Sequence, residues 1–275
     1  MRSKLFVPCS RPELFAKALA GHADALSFDL EDAVPEAGKV AARQVLADVL
    51  RSDAVRASTK TIIVRVNAPA TAHFVADVAA LAKCRVDLVN VPKAERPADI
   101  HDALAVLDRT GVTADVLVNI ESARGLLDAA GIAGAHPRVA GLQVGLNDLC
   151  ASLGIDRRDQ RHVHAALWNI RVASGAADRF AYDGAWPDIG DDDGFRAEAE
   201  LARGLGYRGK SCIHPRQVPI ANAVFDAGDT LTSARRLLAA AAEAEADGRG
   251  AFTLDGRMID RPAIEQARAL LGNAR

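Results

Sequence analysis

Glu121 closes the apolar run Val116-Leu-Val-Asn-Ile, and Asp148 follows a second run, Val139-Ala-Gly-Leu-Gln-Val-Gly145. The two acids are 148 − 121 = 27 residues apart. That is about one strand-helix-strand repeat, so parallel strands would carry both to the same rim of a sheet. Two hard oxygen donors there suit a divalent cation. Mg²⁺ in particular takes one or two protein carboxylates and keeps its other positions for water and substrate. Acids are also favoured in the first turn of a helix, where they meet the positive end of its dipole, and the spacing leaves both readings open.

Other charged residues close or interrupt neighbouring runs. Arg65 lies inside Ile62-Ile-Val-Arg-Val66, where a guanidinium is costly unless it meets an anion. That anion is a ligand's carboxylate, thioester or phosphate, or else Asp29, Glu31 or Asp32 at the end of the preceding run. Lys93, closing Val91-Pro-Lys, is either a charge-balancing lysine or a Schiff-base nucleophile. The remaining polar residues read as structural. His162 and His164 are two apart and face different ways on a helix. Asp191 to Asp193 suit a helix N-cap and first turn. His214 before Pro215 reads as a hydrogen-bonded histidine, and Trp168, Trp186 and the scattered phenylalanines as packing.

These residues need strands to place them. Eight short apolar runs lie near residues 4–8, 25–31, 61–67, 87–93, 115–121, 139–145, 180–186 and 209–214. Between them, residues 11–20, 37–50, 72–82, 97–108, 123–130, 160–174 and 193–205 have helical patterning. This alternation, over ~250 residues, matches a (β/α)₈ TIM barrel, in which chemistry sits at the C-terminal ends of the strands. A doubly wound open sheet is the alternative, but no G-x-G-x-x-G follows the first run and no Walker A motif occurs. The expected domains are a barrel over residues 1–220 and a C-terminal helical extension over 221–275. The extension has helices expected at 235–246 and 262–271 and a turn at Asp247-Gly-Arg-Gly250. It exceeds what an eighth helix requires, which suggests packing on a neighbouring subunit or a lid on its own barrel.

Bulk properties narrow the partners. With 275 residues, 34 basic and 36 acidic side chains and a net charge of −2, the chain has no nucleic-acid or membrane footprint and points to small ligands. Cys9, Cys84, Cys150 and Cys212 form no C-x-x-C pair, so neither a zinc cluster nor a disulfide framework is indicated, and a reducing cytoplasm fits. Arg11 and Glu13 come too early for a signal-peptide core, and no stretch of 18 apolar residues occurs.

Taken together, the rim motifs resemble the β-subunit of citrate lyase and the malyl-CoA and citramalyl-CoA lyases of the HpcH/HpaI aldolase family. The resemblance is carried by Arg2-Ser-Lys-Leu-Phe-Val-Pro8, Asp29-Leu-Glu-Asp-Ala-Val34, Val64-Arg-Val-Asn-Ala68, Val91-Pro-Lys93, Ile120-Glu-Ser-Ala-Arg-Gly125, Gly145-Leu-Asn-Asp-Leu149, Gly209-Lys-Ser-Cys-Ile-His-Pro-Arg-Gln217 and Asp255-Gly-Arg-Met-Ile-Asp260. It implies a (β/α)₈ barrel binding Mg²⁺ through Glu121 and Asp148, with Arg65 on the substrate. The acid of the C-terminal M-I-D motif is Asp260, which in related lyases enters a neighbouring subunit's site.

The implied reaction is reversible cleavage of a 3-hydroxyacyl thioester into a 2-oxo acid and an acyl-CoA. Asp260 would act as the acid-base group, and Lys93, Asp29, Glu31 and Asp32 would line the substrate side. The resemblance further implies a homotrimer or hexamer. A thioester on an acyl-carrier protein, or a thioesterase variant, is the alternative. The usual F-V-P-G-S motif reads Phe6-Val-Pro-Cys-Ser10 here, so a side chain and a narrower range of backbone angles are expected at the rim. The usual I-E-T-A-R-G has Ser122 for Thr, which keeps the hydroxyl.

Overall fold

A computed structural model describes residues 1–248 and 250–272 of the chain. Eight strands close into a barrel in sequence order, every neighbour parallel: β1 Ser3–Pro8, β2 Ala25–Asp29, β3 Thr61–Arg65, β4 Leu88–Val91, β5 Asp115–Ile120, β6 Val139–Val144, β7 Phe180–Ala185 and β8 Lys210–Cys212. The ring is completed by β1 pairing with β8, Lys4 opposite Ser211. Each expected apolar run holds a strand, and the open sheet is excluded by this closure.

Helices surround the strands: α1 Phe15–Ala20, α2 Lys39–Leu50, α3 Asp53–Ala57, α4 Phe74–Ala80, α5 Pro97–Thr110, α6 Ala123–Leu127, α7 Ala129–Gly134, α8 Leu146–Leu153, α9 Gln160–Ala176, α10 Asp192–Gly204 and α11 Gln217–Val224. Their buried faces meet outward-facing Val, Ile and Leu of the strands in one continuous core, among them Leu46, Ile100, Leu107, Ile132, Leu167 and Phe195. α5 shows the local logic. Pro97 stands in its first turn, Asp99 accepts from the Arg96 amide, and Gly111 takes the left-handed C-cap conformation at φ 73°.

Inside the barrel polar side chains stand among apolar and aromatic ones. Lys4 of β1 donates to Gln143 of β6, and the Asn90 amide of β4 reaches the same oxygen at 3.4 Å. These three strands are not neighbours, so the three side chains can meet only across the barrel axis. Outside the strands, Lys210 pairs with Asp183 and with Glu198 of α10, both at 2.7 Å.

A separate compact unit runs from Asp226 to the C-terminus, so the first unit ends at Phe225 and not at residue 220. The cause is α11, whose Val218, Ile220, Ala221 and Val224 are buried against the barrel layer. The second unit holds α12 Gly228–Ala246, a hairpin of β9 Phe252–Leu254 and β10 Arg257–Ile259, and α13 Arg261–Gly272. Its hairpin turns at Asp255 and Gly256, both with positive φ. The Asp247-Gly turn ends α12, with the Gly248 amide donating to the carbonyl of Glu245.

Several local expectations change. The 123–130 helix is two short helices meeting at Asp128, and α3 and α11 occupy stretches without an assigned element. The segment after β6 is helix α8, with Asp148 in its first turn. Trp168 is not packing: it is 54% exposed on α9. No helix among the described residues is long and apolar enough to cross a membrane, and the four cysteines are free.

Candidate active site

The C-terminal ends of the strands open into a cleft of about 480 Å³, lined among others by Phe6, Asp29, Arg65, Glu121, Gln143 and Asp148. Glu121 arrives there because it directly follows β5, and Gly145 stands beside it because Ile120 is paired with Val144. A Cβ on Gly145 would lie 2.4 Å from the Glu121 Cβ. Only glycine permits this approach, and it brings the start of α8, with Asp148 in its first turn, beside the Glu121 carboxylate. The two acids therefore share one rim, as their spacing requires. The helix-turn placement of Asp148 and a ligand role are both consistent with this geometry.

Glu121 is buried, with 5% of its surface exposed. Its Oε1 accepts from the Lys93 amide at 2.8 Å, and Oε2 is reached by the Asn119 amide at 3.4 Å. Burial, then the negative charges of Glu31 and Asp148, raise its pKa to about 7. The Lys93 amide is aimed by a strained backbone, since Lys93 has a φ of 56°, uncommon outside glycine.

Arg65, at the end of β3, meets the acids that follow β2. Its Nε and Nη2 form a fork with both oxygens of Asp29 at 2.8 and 2.6 Å, while Nη1 lies 3.0 Å from Glu31 and 3.3 Å from Asp32. Phe6 lies under the guanidinium, 4.9 Å away. Asp29 itself is fixed by accepting from the Glu31 amide. Both readings of Arg65 thus hold: it is ion-paired within the chain, and it still lines the cleft. Lys93 Nζ lies 2.8 Å from Glu31, and this hydrogen bond raises its pKa above the usual lysine value. It is a charge-balancing ammonium, and the Schiff-base alternative loses its chemical basis.

The rim carries Asp29, Glu31, Asp32, Glu121 and Asp148 against two cations, Arg65 and Lys93. This excess of negative charge, with the acids buried or facing the cleft, is what a bound cation would neutralise. Among the described residues no group of three or more His, Cys, Asp or Glu could hold a metal, so Glu121 and Asp148 would bind it as a pair. A two-carboxylate site fits Mg²⁺, which retains most of its water, and not zinc, which takes three or four nitrogen and sulfur ligands.

Asp260 is in the second unit, between β10 and α13, where its Oδ1 accepts from the Ala263 amide at 3.5 Å. The remaining polar candidates are structural. The side chain of Asp191 caps α10 through the Gly194 amide, and His214 accepts from the Arg216 amide. Cys9 is buried in the core and keeps a negative φ, so it needs none of glycine's freedom and does not line the cleft. Three residues of the site lacked a sequence signal: Lys4, Gln143 and Arg157. Arg157 holds Asn147 at 3.0 Å and Glu198 at 2.7 and 2.9 Å, fastening the first turn of α8 to the Lys210 network.

Residues 2–215 match the family described as HpcH/HpaI aldolase/citrate lyase. The chain is 38% identical over 275 residues to a (3S)-malyl-CoA thioesterase of Cereibacter sphaeroides, covering 99% of this chain and 94% of that protein. Protein CitE of Mycobacterium tuberculosis, crystallised with magnesium, acetoacetate and coenzyme A, aligns with a TM-score of 0.78 at 37% identity, covering 100% of this chain and 99% of that one. A citrate lyase β subunit from M. tuberculosis, complexed with oxaloacetate and magnesium, aligns at 0.69 and 38% identity, covering 82% of this chain and 96% of that one.

Proposed function

The chain belongs to the HpcH/HpaI aldolase/citrate lyase family, and from that premise we propose that it is a Mg²⁺-dependent carbon-carbon lyase. It would cleave a 3-hydroxyacyl-CoA of the malyl, citramalyl or citryl type into a 2-oxo acid and an acyl-CoA. The observation that carries this reading is the cleft itself: Glu121 and Asp148 on one side, Arg65 with its own carboxylates on the other, and an unbalanced negative charge between them.

Glu121 and Asp148 would hold the metal. When bound, Mg²⁺ supplies Lewis acidity to the oxo-acid oxygens. The substrate hydroxyl gives up its proton to water in the open cleft, its oxygen becomes the carbonyl of the oxo acid as the carbon-carbon bond breaks, and the electron pair of that bond passes into the thioester as an enolate. Arg65, held by Asp29, Glu31 and Asp32 so that it need not reorganise, donates to the enolate oxygen. Asp260 of a neighbouring subunit then gives a proton to the enolate carbon, releasing the acyl-CoA; in condensation it removes that proton. The assembly implied is a homotrimer or hexamer.

A second cavity of about 670 Å³ shares Phe6, Pro8 and Ile213 with the first and carries Arg11, Lys17, His22 and His214. Its apolar walls and basic edge suit the long anionic arm of a thioester carrier, coenzyme A or an acyl-carrier protein. The malyl-CoA thioesterase relative favours a second reading, in which the same site hydrolyses the thioester. Purified enzyme, given synthetic malyl-, citramalyl- and citryl-CoA with and without Mg²⁺, tests both. Release of glyoxylate, pyruvate or oxaloacetate that needs Mg²⁺ and is lost in Glu121→Gln supports the lyase. Free thiol without an oxo acid supports the thioesterase, and no Mg²⁺-dependent product overturns both.

A further inference from the structure

Below the rim, the floor of the cleft is built from a polar trio that the reaction above does not use. Gln143 precedes Gly145 by two residues on β6 and is the register partner of Asn119 on β5, as Val144 is of Ile120. Two strand residues span ~7 Å, so Gln143 lies one layer of side chains deeper than the carboxylates of the rim. It is 97% buried (3% exposed) yet lines the cleft.

The carboxamide is fixed from beneath. Its Oε1 accepts from the fully buried Lys4 Nζ and from the Asn90 amide, and Lys4 is itself lodged over the Phe6 and Tyr182 rings at 4.4 and 5.5 Å. With the Lys4 ammonium and the Asn90 amide both donating to Oε1, the oxygen is turned down and the Nε2 amide is turned away from Lys4. That Nε2 has no partner among the described residues. Unlike the sealed Oδ1 atoms of Asn90 and Asn119, it is not closed off from solvent. A buried, oriented donor opening only into a substrate cleft awaits an acceptor on a ligand.

With Glu121 and Asp148 holding the metal at the rim, an oxo acid bound there would have its far end toward the floor. We propose that Gln143, oriented by Lys4, selects the 2-oxo acid by donating a hydrogen bond from Nε2 to an oxygen on its C3 substituent. This rests on the lyase reading given above. Lys4 is a positioning residue in it. Sites that hydrogen-bond a substrate group reject analogues lacking it far more strongly than apolar pockets do, because the buried polar atom is then left unpaired. Oxaloacetate and 3-hydroxypyruvate carry such an oxygen; pyruvate does not, and glyoxylate has no C3.

The test is calorimetric binding of these four acids to the Mg²⁺-loaded enzyme, alongside steady-state condensation with acetyl-CoA. Wild type is expected to bind the oxygen-bearing pair at least tenfold more tightly than pyruvate. Gln143→Leu should abolish that preference while changing pyruvate affinity less than threefold. Gln143→Glu, which keeps an acceptor for Lys4 and Asn90, should weaken oxaloacetate more than 3-hydroxypyruvate. Lys4→Met should raise the ratio of the oxaloacetate KM to the pyruvate KM, and in the Gln143→Leu background it should have no further effect on that ratio. If Gln143→Leu weakens all four acids alike, or none, the assignment of Gln143 is overturned while the lyase reading stands. If wild type binds none of the four with Mg²⁺ present, both readings fall together.

Discussion

Replacing Glu121 by Gln should make the metal-free protein more stable while removing its Mg²⁺ response. The carboxyl is buried, and its pKa is raised from 4.5 to about 7 by that burial and by the charges of Glu31 and Asp148. At ~1.4 kcal/mol per pH unit, this is about 3 kcal/mol of destabilisation by the ionised group. The sign follows from proton binding: between these two pKa values the folded state holds more of the proton than the unfolded chain, so stability falls as pH rises. The penalty is absent below about pH 4.5, grows between the two values and is complete above 7.

A glutamine keeps the acceptor for the Lys93 amide. If Asn119 turns its side chain over, its unpartnered Oδ1 receives the new amide. Thermal or urea unfolding in EDTA at about pH 8 should therefore show the variant ahead by on the order of 2–3 kcal/mol, with the difference vanishing near pH 4.5. Saturating MgCl₂ should close the gap by stabilising wild type alone, in proportion to RT ln(1 + [Mg²⁺]/Kd). A variant less stable than wild type at about pH 8, or equally stabilised by MgCl₂, would refute the electrostatic account of this site.

Three further outcomes follow from the geometry. Gly145→Ala places a methyl within 2.4 Å of the Glu121 Cβ, so Mg²⁺-dependent turnover should fall by roughly two orders of magnitude with circular dichroism unchanged; activity within threefold of wild type would count against it. Asp260→Asn should bind an oxo acid and Mg²⁺ as wild type does, by calorimetry, yet lose proton exchange at the acetyl-CoA methyl, and retained exchange would remove the acid-base assignment. Lys210→Met leaves Asp183 and Glu198 buried without their shared cation and should cost about 3–5 kcal/mol in urea unfolding. An unchanged midpoint would show that Arg157 alone neutralises Glu198.

The rim of the site was legible because its residues end apolar runs. Glu121, Asp148, Arg65 and Lys93 each interrupt a hydrophobic stretch, and a barrel converts every such interruption into a position around one mouth. The floor was not legible. Strands of a parallel barrel are buried on both faces, so their sequence lacks the alternation that would say which residues point inward. Lys4 therefore read as one charge in an ordinary first strand, and Gln143 as one polar residue in an apolar one.

Their relation is set by closure: β1 and β6 are distant in sequence and not neighbours in the sheet, and only the curvature of the barrel brings their side chains together across its axis. The same reasoning explains α8, which begins directly after β6 with no side-chain cap to announce it, its place set by Gly145 against Glu121. The charged residues of the mouth are thus written at the strand ends, where interruptions are visible in one dimension. Discrimination between substrates, on the present proposal, is written in the interior, where a residue acquires meaning only from a partner that closure supplies.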